Sequence, residues 1–395
     1  MTQPKSIVLG VTSDVSLTLM RGFPEYLRDN GWEVHVVSAP GPLLDAMGSV
    51  EGVSAHSLPM AREPSPFGDL KSLVAWIRLL RTIRPTVSSI GTPKAGLVGG
   101  IAAWLVGVPH RVYVLRGLRL ETTTGLSRHI FSLAERVAVA SAHHVLSVSS
   151  SLRARAVELG LVPSRKIFVL GSGSSNGVDT VAYARATTDA STRSALRASL
   201  GIAEGVPVVG FVGRLTADKG LAVLAEAREL LAESGTDYSL MIIGGIDDGQ
   251  DASVVEQLAA TGRPAIVTGH VSDPRPYYSI MDVLCLPTFR EGFPNVVLEA
   301  ASMGVPAVTT NATGAVDSVL NGKTGLVVDV RSGHALADGL RQLLDDAELR
   351  HKLGAAARDR VVSEFDRSTV WGNHDAFFNA LIGSSGKSMP TTTTF

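Results

Sequence analysis

Short runs of Val, Ile and Leu alternate with helical patterns along most of the chain. One series contains "SIVLGVTS", "EVHVVS", "RVYVLR" and "HVLSVS". A second series begins near Val206 with "VPVVGFVG", "YSLMIIGG", "PAIVTGH", "DVLCLP", "PAVTT" and "GLVVD". Near-continuous apolar strands separated by helices are typical of parallel sheets that are covered on both faces. The alternation therefore predicts an α/β protein with two doubly wound parallel sheets.

The length of 395 residues also suits two domains. The seam between the two series falls near "TTDASTRSALRASLG", residues 187–201. We predict an N-terminal Rossmann-like domain over 1–190 and a C-terminal Rossmann-like domain over 191–383, with the last helix packing back on the first domain. Residues 384–395 are of low complexity and are predicted to be a flexible tail.

Cysteine content and apolar run lengths bear on the compartment. The chain has one cysteine, Cys285 in "DVLCLP", so an internal disulfide is excluded, and a core role in a reducing compartment is expected. The N-terminal apolar run is too short for a signal peptide. The longest apolar stretch, residues 95–109, falls short of the ~20 residues that span a bilayer. We expect a cytoplasmic protein.

Charge is distributed unevenly between the two halves. Residues 1–180 hold 18 Lys and Arg against 12 Asp and Glu, whereas the remainder is acidic. Such asymmetry indicates that the basic half meets anions or a membrane, unless it arose by chance. In the predicted helix 68–84 an apolar face is expected to pack on the sheet, namely Leu70, Leu73, Val74, Ile77 and Leu80. Arg78, Arg81 and Arg84 would then lie at a rim facing the anionic inner leaflet; no nucleic-acid partner is expected.

The stretch "REGFPNVVLEAASMGVP", residues 290–306, has the pattern of a phosphate-binding helix entrance. Pro294 suits the first turn of a helix over about 294–303, and Gly304 suits the position after its end. The unpaired N–H groups of residues 295–297 would attract a phosphate, and Gly292 lets the backbone approach a ligand closely.

Two glutamates flank this entrance. Glu299 lies a full turn inside the helix, where it could accept hydrogen bonds from a ribose diol. Glu291 precedes the turn, where it could accept from sugar hydroxyls. The alternative is an N-terminal dipole partner and a solvated helix glutamate.

A second stretch, "VVGFVGRLTADKGL", places Arg214 and Lys219 after the carboxyl end of a strand. Open α/β sheets bind ligands at that edge. Arginine offers a fork for phosphate oxygens and lysine offers a point charge. The alternative for the two residues is a pair of ordinary surface cations.

Together the two stretches resemble the donor-site motifs of retaining glycosyltransferases of the GT-B fold, in particular glycosyltransferase family 4. "GRLTADKGL" is similar to the family's arginine–lysine motif, and "EGFPNVVLEA" to its motif of two glutamates separated by seven residues. "GVPAVTTNATGAVDSVLNGKTGLVV" resembles the strand and loop that follow. The likeness is dense in the C-terminal half and loose in the N-terminal half. There, "TPKAGLVGG", "RGLRLETTTG" and "GSGSSNGVD" resemble enzymes that elongate polyprenyl-linked glycans or capsular polysaccharide.

The resemblance implies an interdomain cleft, a nucleotide-sugar donor on the C-terminal domain and an acceptor on the N-terminal domain. Implied catalytic residues are Arg214 and Lys219, which would stabilise the departing diphosphate, and Glu291, which would contact the donor sugar. The implied donor-binding residues are Glu299 at the ribose, Gly213, Gly292, Phe293, Pro294, Asn295 and Val296 around the sugar and phosphates, Gly269 and His270 near the base, and Ser13 and Asp14 after the first strand.

One position departs from the family pattern. Many relatives carry a histidine after the strand that here reads "RVYVLRGLRLE", and this chain has Arg116 instead. Arg116 could contact an acceptor phosphate or the sugar. Together with Arg119 and Glu121 it forms the acceptor-side set.

Neither a metal nor a dinucleotide cofactor is expected. The ten histidines form no HExxH motif and no useful cluster with Cys285. "GIDDGQD", residues 245–251, reads as a solvated loop. "GSGSSNG", residues 171–177, has the spacing GxGxxxG, and no helix pattern follows to receive a pyrophosphate.

The sequence thus predicts a metal-independent, retaining transferase. It would use a UDP-hexose or UDP-N-acetylhexosamine and a glycan acceptor, with a polyprenyl-diphosphate-linked glycan as one candidate, in cell-surface polysaccharide synthesis. One alternative is a UDP-sugar epimerase of the same fold, which would need an acid/base pair in the first domain. The other is a non-catalytic nucleotide-sugar-binding protein, against which the four charged motif residues argue.

Overall fold

A computed structural model describes residues 5–61, 65–245, 256–258 and 264–383. The predicted tail 384–395 and most of the acidic stretch 245–251 lie outside these residues. The chain divides into two compact units, one formed by the described residues of Met1–Asn176 and Ser368–Phe395, the other by those of Gly177–Arg367. The boundary precedes the expected seam at 190 because Val178 already pairs with the end of the second unit: its N–H donates to Phe365 O at 2.9 Å.

The first unit is built on a seven-stranded parallel sheet in the order β3-β2-β1-β4-β5-β6-β7. Strand β1 is buried along its whole length, as its continuous apolar run predicts. Strand β4 reads VSSIG and is equally buried, but two serines interrupt its apolar pattern and it was not predicted. The strands are β1 Ser6–Gly10, β2 Glu33–Ser38, β3 Val53–Ser57, β4 Val87–Gly91, β5 His110–Leu115, β6 His144–Ser147 and β7 Ile167–Phe168.

Helices cover both faces of this sheet. They are α1 Phe23–Asp29, α2 Pro42–Gly48, α3 Pro66–Ile83, α4 Pro93–Val106, α5 Gly125–Ser141 and α6 Ser150–Glu158. Helix α14, Arg367–Gly383, returns from the end of the chain and inserts Phe377 and Phe378 into the apolar cluster that holds Ile7 and Leu9 of β1. The C-terminal helix is therefore part of the core of the first unit.

The second unit has a six-stranded parallel sheet in the order β10-β9-β8-β11-β12-β13. Its strands are β8 Val208–Val212, β9 Ser239–Ile243, β10 Ile266–Gly269, β11 Val283–Leu286, β12 Ala307–Thr310 and β13 Gly325–Val328. Its helices are α7 Ala190–Ser199, α8 Leu221–Glu233, α9 Arg275–Ile280, α10 Asn295–Ser302, α11 Ala315–Ser318, α12 Gly333–Asp345 and α13 Ala347–Arg360. Both sheets are doubly wound, as the alternating pattern predicts.

The inner face of α3 agrees only in part with the prediction: Leu80 is buried and Leu73 and Ile77 pack against the core, but the face is centred on other residues. The buried residues of this helix are Ser72, Trp76 and Leu80, whereas Leu70 and Val74 are exposed. Ser72 can be buried because its hydroxyl donates to backbone carbonyls of the first unit, including Gly68 O at 2.9 Å. Trp76 then packs under the helix, and of the predicted stripe Leu70 and Val74 face outward.

The segment that reads "LTLMRGFPEYLRDNG" forms two helical pieces rather than one interrupted helix. A 3₁₀ helix covers Asp14–Met20, and α1 starts afresh at Phe23 with Pro24 in its first turn. Proline is tolerated there because its missing N–H has no helical partner in any case. Within the described ranges, every helix is too short or too polar to cross a bilayer.

Candidate active site

In the sheet of the second unit, strands β8, β9 and β10 follow one another to one side, and β11, β12 and β13 follow one another to the other side. The order of the strands therefore reverses between β8 and β11. Ligands of doubly wound sheets bind outside the carboxyl ends of the strands at such a reversal. The loop after β8 carries Arg214 and Lys219, and the loop after β11 carries Glu291. The fold therefore brings the two predicted motifs to the same edge of the sheet.

Lys219 and Glu291 form an ion pair at this edge, with Lys219 Nζ 2.5 Å from Glu291 Oε1. Their side chains are only 16% and 14% exposed. Lys219 ends a 3₁₀ turn, and Gly220 follows in the left-handed region at φ 75°. A Cβ on Gly220 would lie 1.9 Å from Pro287 O, so only glycine lets the two loops approach this closely.

A second ion pair, which sequence reasoning missed, joins the same loops. Arg290 Nη2 lies 2.9 Å from Asp218 Oδ2, and Asp218 O accepts a hydrogen bond from Phe289 N at 2.8 Å. Burial opposes ionisation of Asp218, but the Thr216 hydroxyl and the Arg290 guanidinium hold the pKa of Asp218 below its usual value. The two pairs cross-link the loops and position Lys219 before any ligand binds.

Arg214 lies on the exposed side of the loop after β8. Gly213, which precedes it, donates its N–H to Ile243 O at 2.9 Å. A Cβ on Gly244 would lie 1.8 Å from Gly213 O, so the ends of β8 and β9 are in close contact. Arg214 thus sits on a rigid edge with its side chain accessible, and its contact with a diphosphate stays a prediction.

Helix α10 begins at Asn295, one residue later than predicted, and Pro294 is its N-cap. The N–H of Val297 is already bonded to Pro294 O at 3.1 Å, so it is not available as the third phosphate donor. Asn295 Oδ1 is shielded from solvent and has no hydrogen-bond partner among the described residues. A buried acceptor without a partner is costly, so a hydroxyl of a bound ligand would satisfy it.

The backbone between β11 and α10 is held by the loop after β12. Glu291 donates its N–H to Thr313 O at 2.8 Å. A Cβ on Gly314, at φ 76°, would lie 2.4 Å from the carbonyl oxygens of both Glu291 and Gly292. The ring of Phe293 packs on Phe365, with centroids 5.2 Å apart. Phe293 can therefore offer a ligand only its backbone, whereas Gly292 and the half-buried Val296 border the same turn.

Glu299 is oriented by a tyrosine that sequence reasoning did not identify. Tyr278 donates its hydroxyl proton to Glu299 Oε2 at 2.8 Å. Burial raises the pKa of Glu299 above its ordinary value, and the hydrogen bond from Tyr278 acts in the opposite direction. The carboxylate is consequently fixed in position, as recognition of a diol requires. The signal that could have predicted the partner is "PRPYYSI", a tyrosine pair in a short helix that precedes β11.

The remaining donor-side predictions lie at the ends of β9 and β10. Gly269 O accepts from Gly244 N at 2.9 Å, and Leu215 N donates to Gly245 O at 3.0 Å. His270 follows Gly269 and is exposed. Gly269 and His270 therefore share the edge that carries Arg214, two strands away from it in the sheet.

In the first unit, the strand order reverses between β1 and β4. The hydroxyls of Thr12 and Thr92 are 2.7 Å apart there, and Ser13 pairs with the hydroxyl of Ser16 at 3.0 Å. Asp14 Oδ1 accepts from Leu44 N at 2.7 Å in the first turn of α2. The carboxylate thus caps this helix, and its place on the donor side stays a prediction.

Arg116 follows β5 and lies in a pocket of the first unit. Its Nε is shielded and has no hydrogen-bond partner among the described residues, and Nη1 lies 3.5 Å from Leu19 O. Burial lowers the pKa of Arg116 to about 10. A Cβ on Gly91 would lie 2.9 Å from Arg116 Nε, so glycine provides the space for the guanidinium. The pocket is also lined by Gly10, Ser89, Ser175 and His374.

His374 of α14 completes this pocket as a neutral group. Burial is the main reason that its pKa falls to about 4, and the neighbouring Arg116 lowers it further. His374 Nδ1 bonds to Val370 O at 2.8 Å, so Nδ1 carries the proton and Nε2 is an acceptor. The pocket therefore holds a permanent cation beside neutral polar groups, which suits a small anion.

The other two predicted acceptor-side residues have structural partners. Arg119 lies over the ring of Phe131 at 5.1 Å from its centroid. Glu121 forms an ion pair with Arg155 of α6 at 3.3 Å. Both contacts tie the 3₁₀ turn Arg119–Glu121 to neighbouring helices.

In the parts of the chain that the structure describes, no three His, Cys, Asp or Glu side chains come together as a metal site. Cys285 is buried, and burial raises the pKa of its thiol. This agrees with the small core residue that the sequence indicates. The predicted site thus consists of cations, carboxylates and a helix N-terminus.

Residues 192–360 match the family described as glycosyl transferases group 1, and residues 20–173 match the glycosyl transferase 4-like domain. The chain is 36% identical over 376 residues to the capsular polysaccharide biosynthesis glycosyltransferase CapM of Staphylococcus aureus, covering 95% of this chain and 97% of the relative. It is 25% identical over 351 residues to the UDP-Gal:alpha-D-GlcNAc-diphosphoundecaprenol alpha-1,3-galactosyltransferase of Escherichia coli, covering 87% of each. The structure of Anabaena Alr3699/HepE in complex with UDP and glucose has a TM-score of 0.79 at 19% identity, over 95% of this chain and 100% of that one.

Two doubly wound parallel sheets in one chain, together with this structural likeness, define the GT-B fold and confirm the predicted fold class. The family matches are more specific than the fold. The chain belongs to glycosyltransferase family 4, and it is a glycosyltransferase, as the motifs predicted.

Proposed function

We propose that the chain transfers a hexose or N-acetylhexosamine from a UDP-sugar to a glycan acceptor carried on polyprenyl diphosphate, with retention of configuration and without a metal. The observation that carries the donor half is the pair of Lys219 and Glu291 beside the N-terminus of α10, at the strand-order reversal of the second unit. UDP as the nucleotide is supported by the galactosyltransferase relative, which is named for UDP-Gal, and by the Anabaena complex with UDP and glucose.

In the proposed reaction, the bond between the anomeric carbon and the diphosphate oxygen breaks, and a bond to an acceptor hydroxyl forms on the same face. The acceptor proton passes to the departing phosphate oxygen, and UDP leaves. Lys219, Arg214 and the N–H groups at the start of α10 stabilise the charge that develops on the diphosphate. Glu291 holds the sugar hydroxyls while it keeps Lys219 in place, and Glu299 holds the ribose.

On the acceptor side, Arg116 is the residue that we assign to a phosphate of the acceptor. Its shielded Nε has no hydrogen-bond partner in the described part of the chain, and the described residues that line its pocket include no carboxylate. The names of the relatives support a phosphorylated, polyprenyl-linked glycan in capsular or other cell-surface polysaccharide synthesis. The reaction would then take place at the cytoplasmic face of the membrane.

A donor and acceptor panel tests this proposal. UDP-glucose, UDP-galactose and their N-acetylated forms are incubated with and without a polyprenyl-diphosphate-linked sugar, and UDP release and the new glycan are measured. We expect UDP release that depends on the acceptor, an anomeric configuration equal to that of the donor by NMR, and full rates in excess EDTA. An epimerised UDP-sugar formed without acceptor would replace the transferase by the epimerase, and binding without turnover would indicate a binding protein.

The Arg116 assignment is tested by Arg116→Met, with Arg119→Met as the matched control. We expect Arg116→Met to raise KM for the diphosphate-linked acceptor at least tenfold and to leave KM for the donor unchanged. An acceptor that lacks the diphosphate should be used equally by both variants and the wild type. A rise in donor KM instead would place Arg116 at the sugar.

A further inference from the structure

Helix α4 is apolar on every side although one side faces solvent. After Lys94 it has no charged residue, and its inner face is buried. On the outer face Trp104 is 57% exposed, Leu105 is also exposed, and Leu97 and Ile101 are half-buried. A surface helix usually carries polar residues on its outer face, and one that is apolar all round is normally covered all round.

The helices on either side of α4 extend this apolar face. Helices α3 and α5 both pack against α4. Each exposes a stripe with helical spacing, namely Phe67, Leu70 and Val74 on α3, and Leu126, Ile130 and Leu133 on α5. Eight of the fourteen large apolar side chains that are exposed in the described residues lie on these three helices. Such concentration marks an interaction surface.

The charges around this face have one sign. Helix α3 contributes Lys71, Arg78 and Arg81, followed by Arg84, and α5 contributes Arg128 and Arg136. The two acidic residues of the three helices are both occupied. Asp69 is paired with Lys94 at 2.7 Å, and Glu135 is buried and accepts from the Tyr113 hydroxyl at 2.8 Å.

We propose that the outer faces of α3, α4 and α5 form a docking surface for an anionic lipid leaflet. The apolar side chains enter the interface between headgroups and acyl chains, and the cations bind headgroups, as amphipathic interfacial helices do. Charge complementarity favours this partner over a second copy of the chain, whose equally basic face would repel this one. The apolar stripes carry the proposal, and it holds whether or not the transferase assignment is correct.

The placement also suits a lipid-linked acceptor, a point that rests on the proposed function. Helix α4 follows β4 directly, and α5 follows β5 after the 3₁₀ turn Arg119–Glu121, so both begin on the side of the carboxyl edge of the sheet, where Arg116 lies. The exposed residues at the start of α5, Leu126 and Ile130, are therefore at the same edge as the pocket proposed for the acceptor phosphate. A polyprenyl chain in the leaflet would present its diphosphate to that edge.

Vesicle co-sedimentation tests the proposal. The wild type, the triple variant Phe67→Ser/Trp104→Ser/Leu126→Ser and the control Leu320→Ser, an exposed leucine of the second unit, are mixed with phosphatidylcholine vesicles with or without one-third phosphatidylglycerol. We expect the wild type to bind the anionic vesicles at low salt, the triple variant to bind at least fivefold less, and the control to match the wild type. The variant Arg78→Gln/Arg81→Gln should lose most of its preference for anionic vesicles.

Two measurements separate this proposal from its competitors. Circular dichroism and UDP affinity of the triple variant should equal those of the wild type, which shows that fold and donor site are intact. Equal recovery of the wild type in the supernatant with both vesicle types would overturn the proposal. So would a wild-type dimer that the triple variant converts to a monomer without any change in vesicle binding, because the face would then be an interface between copies.

Discussion

Lys219 is predicted to stabilise the leaving diphosphate, yet in the structure it is bonded to Glu291. Substitution of Lys219 by Met removes both its ion pair with Glu291 and its predicted contact with the diphosphate. It leaves a largely shielded carboxylate without its cation, which should cost about 1–3 kcal/mol of unfolding free energy, as for hydrogen bonds to charged groups. The cost is below that of a fully buried pair because both side chains keep some exposure.

The catalytic loss should be larger. Removal of one electrostatic stabiliser of a transition state typically costs 10²–10³-fold in rate, or about 2.7–4 kcal/mol. A double-mutant cycle with Glu291→Gln separates this loss from the structural one. Stability lost by Lys219→Met should be largely recovered when Glu291 is also Gln, because the orphaned charge is gone. Activity should not be recovered, because the diphosphate still lacks its cation.

Urea unfolding and the rate of UDP release are the two measurements, made on the wild type, both single variants and the double variant. Lys352→Met, at an exposed lysine of α13, serves as the control and should change neither. If Lys219→Met costs less than about threefold in activity in the Glu291→Gln background, Lys219 acts only by positioning Glu291. That result would refute its assignment to the leaving group.

Burial raises the pKa of Glu299, so the wild type should lose affinity for UDP as pH falls and this carboxylate is protonated. Glu299→Gln should bind UDP more weakly, and its affinity should show no such loss at low pH. Equal pH profiles of the two proteins in calorimetry would contradict the ribose role. Burial raises the pKa of Glu135 to about 7 from 4.5, so the native state retains a proton that the unfolded chain releases. The free energy of unfolding should therefore fall by about 3 kcal/mol as pH rises from about 4.5 to about 7. Urea unfolding of Glu135→Gln should show a weaker dependence of stability on pH. Gly220→Ala should lower the free energy of unfolding by more than about 2 kcal/mol, because the added Cβ would meet Pro287 O. Gly235 has a similar φ of 72° and open space around it, so Gly235→Ala should lower it by only about 1–2 kcal/mol. Equal losses of stability in thermal unfolding would show that the loops can separate.

The architecture could be predicted because most central strands are buried on both faces and carry a continuous apolar run, although β4, VSSIG, is buried without one. The strand "EVHVVS" agrees with β2, Glu33–Ser38, residue for residue. The donor motifs could also be placed, because strand order alone puts the loops after β8 and β11 beside each other. These features depend on local composition and on the topology that parallel strands impose.

Partners across loops could not be predicted in this way. Nothing in the sequence specifies that Arg290 pairs with Asp218 or that Tyr278 reaches Glu299, because those contacts depend on how loops from separate strands close. The burial of Ser72 and Trp76 on the inner face of α3 was missed for a related reason. In a pattern of apolar and polar residues, a serine at position 72 predicts an exposed position. Its burial costs little free energy only because nearby backbone carbonyls accept hydrogen bonds from its hydroxyl.

Helix α14 has a consequence for synthesis on the ribosome. The first unit draws its core from the beginning and the end of the chain, since Phe377 and Phe378 pack beside strand β1. About 190 residues separate Asn176 from this helix, which corresponds to roughly 10–40 s of translation. During that interval the nascent first sheet has an uncovered apolar surface, and the contiguous second unit acquires all of its residues before α14 is made. The second unit should therefore complete its folding first, and the first unit should mature only after α14 has left the ribosome.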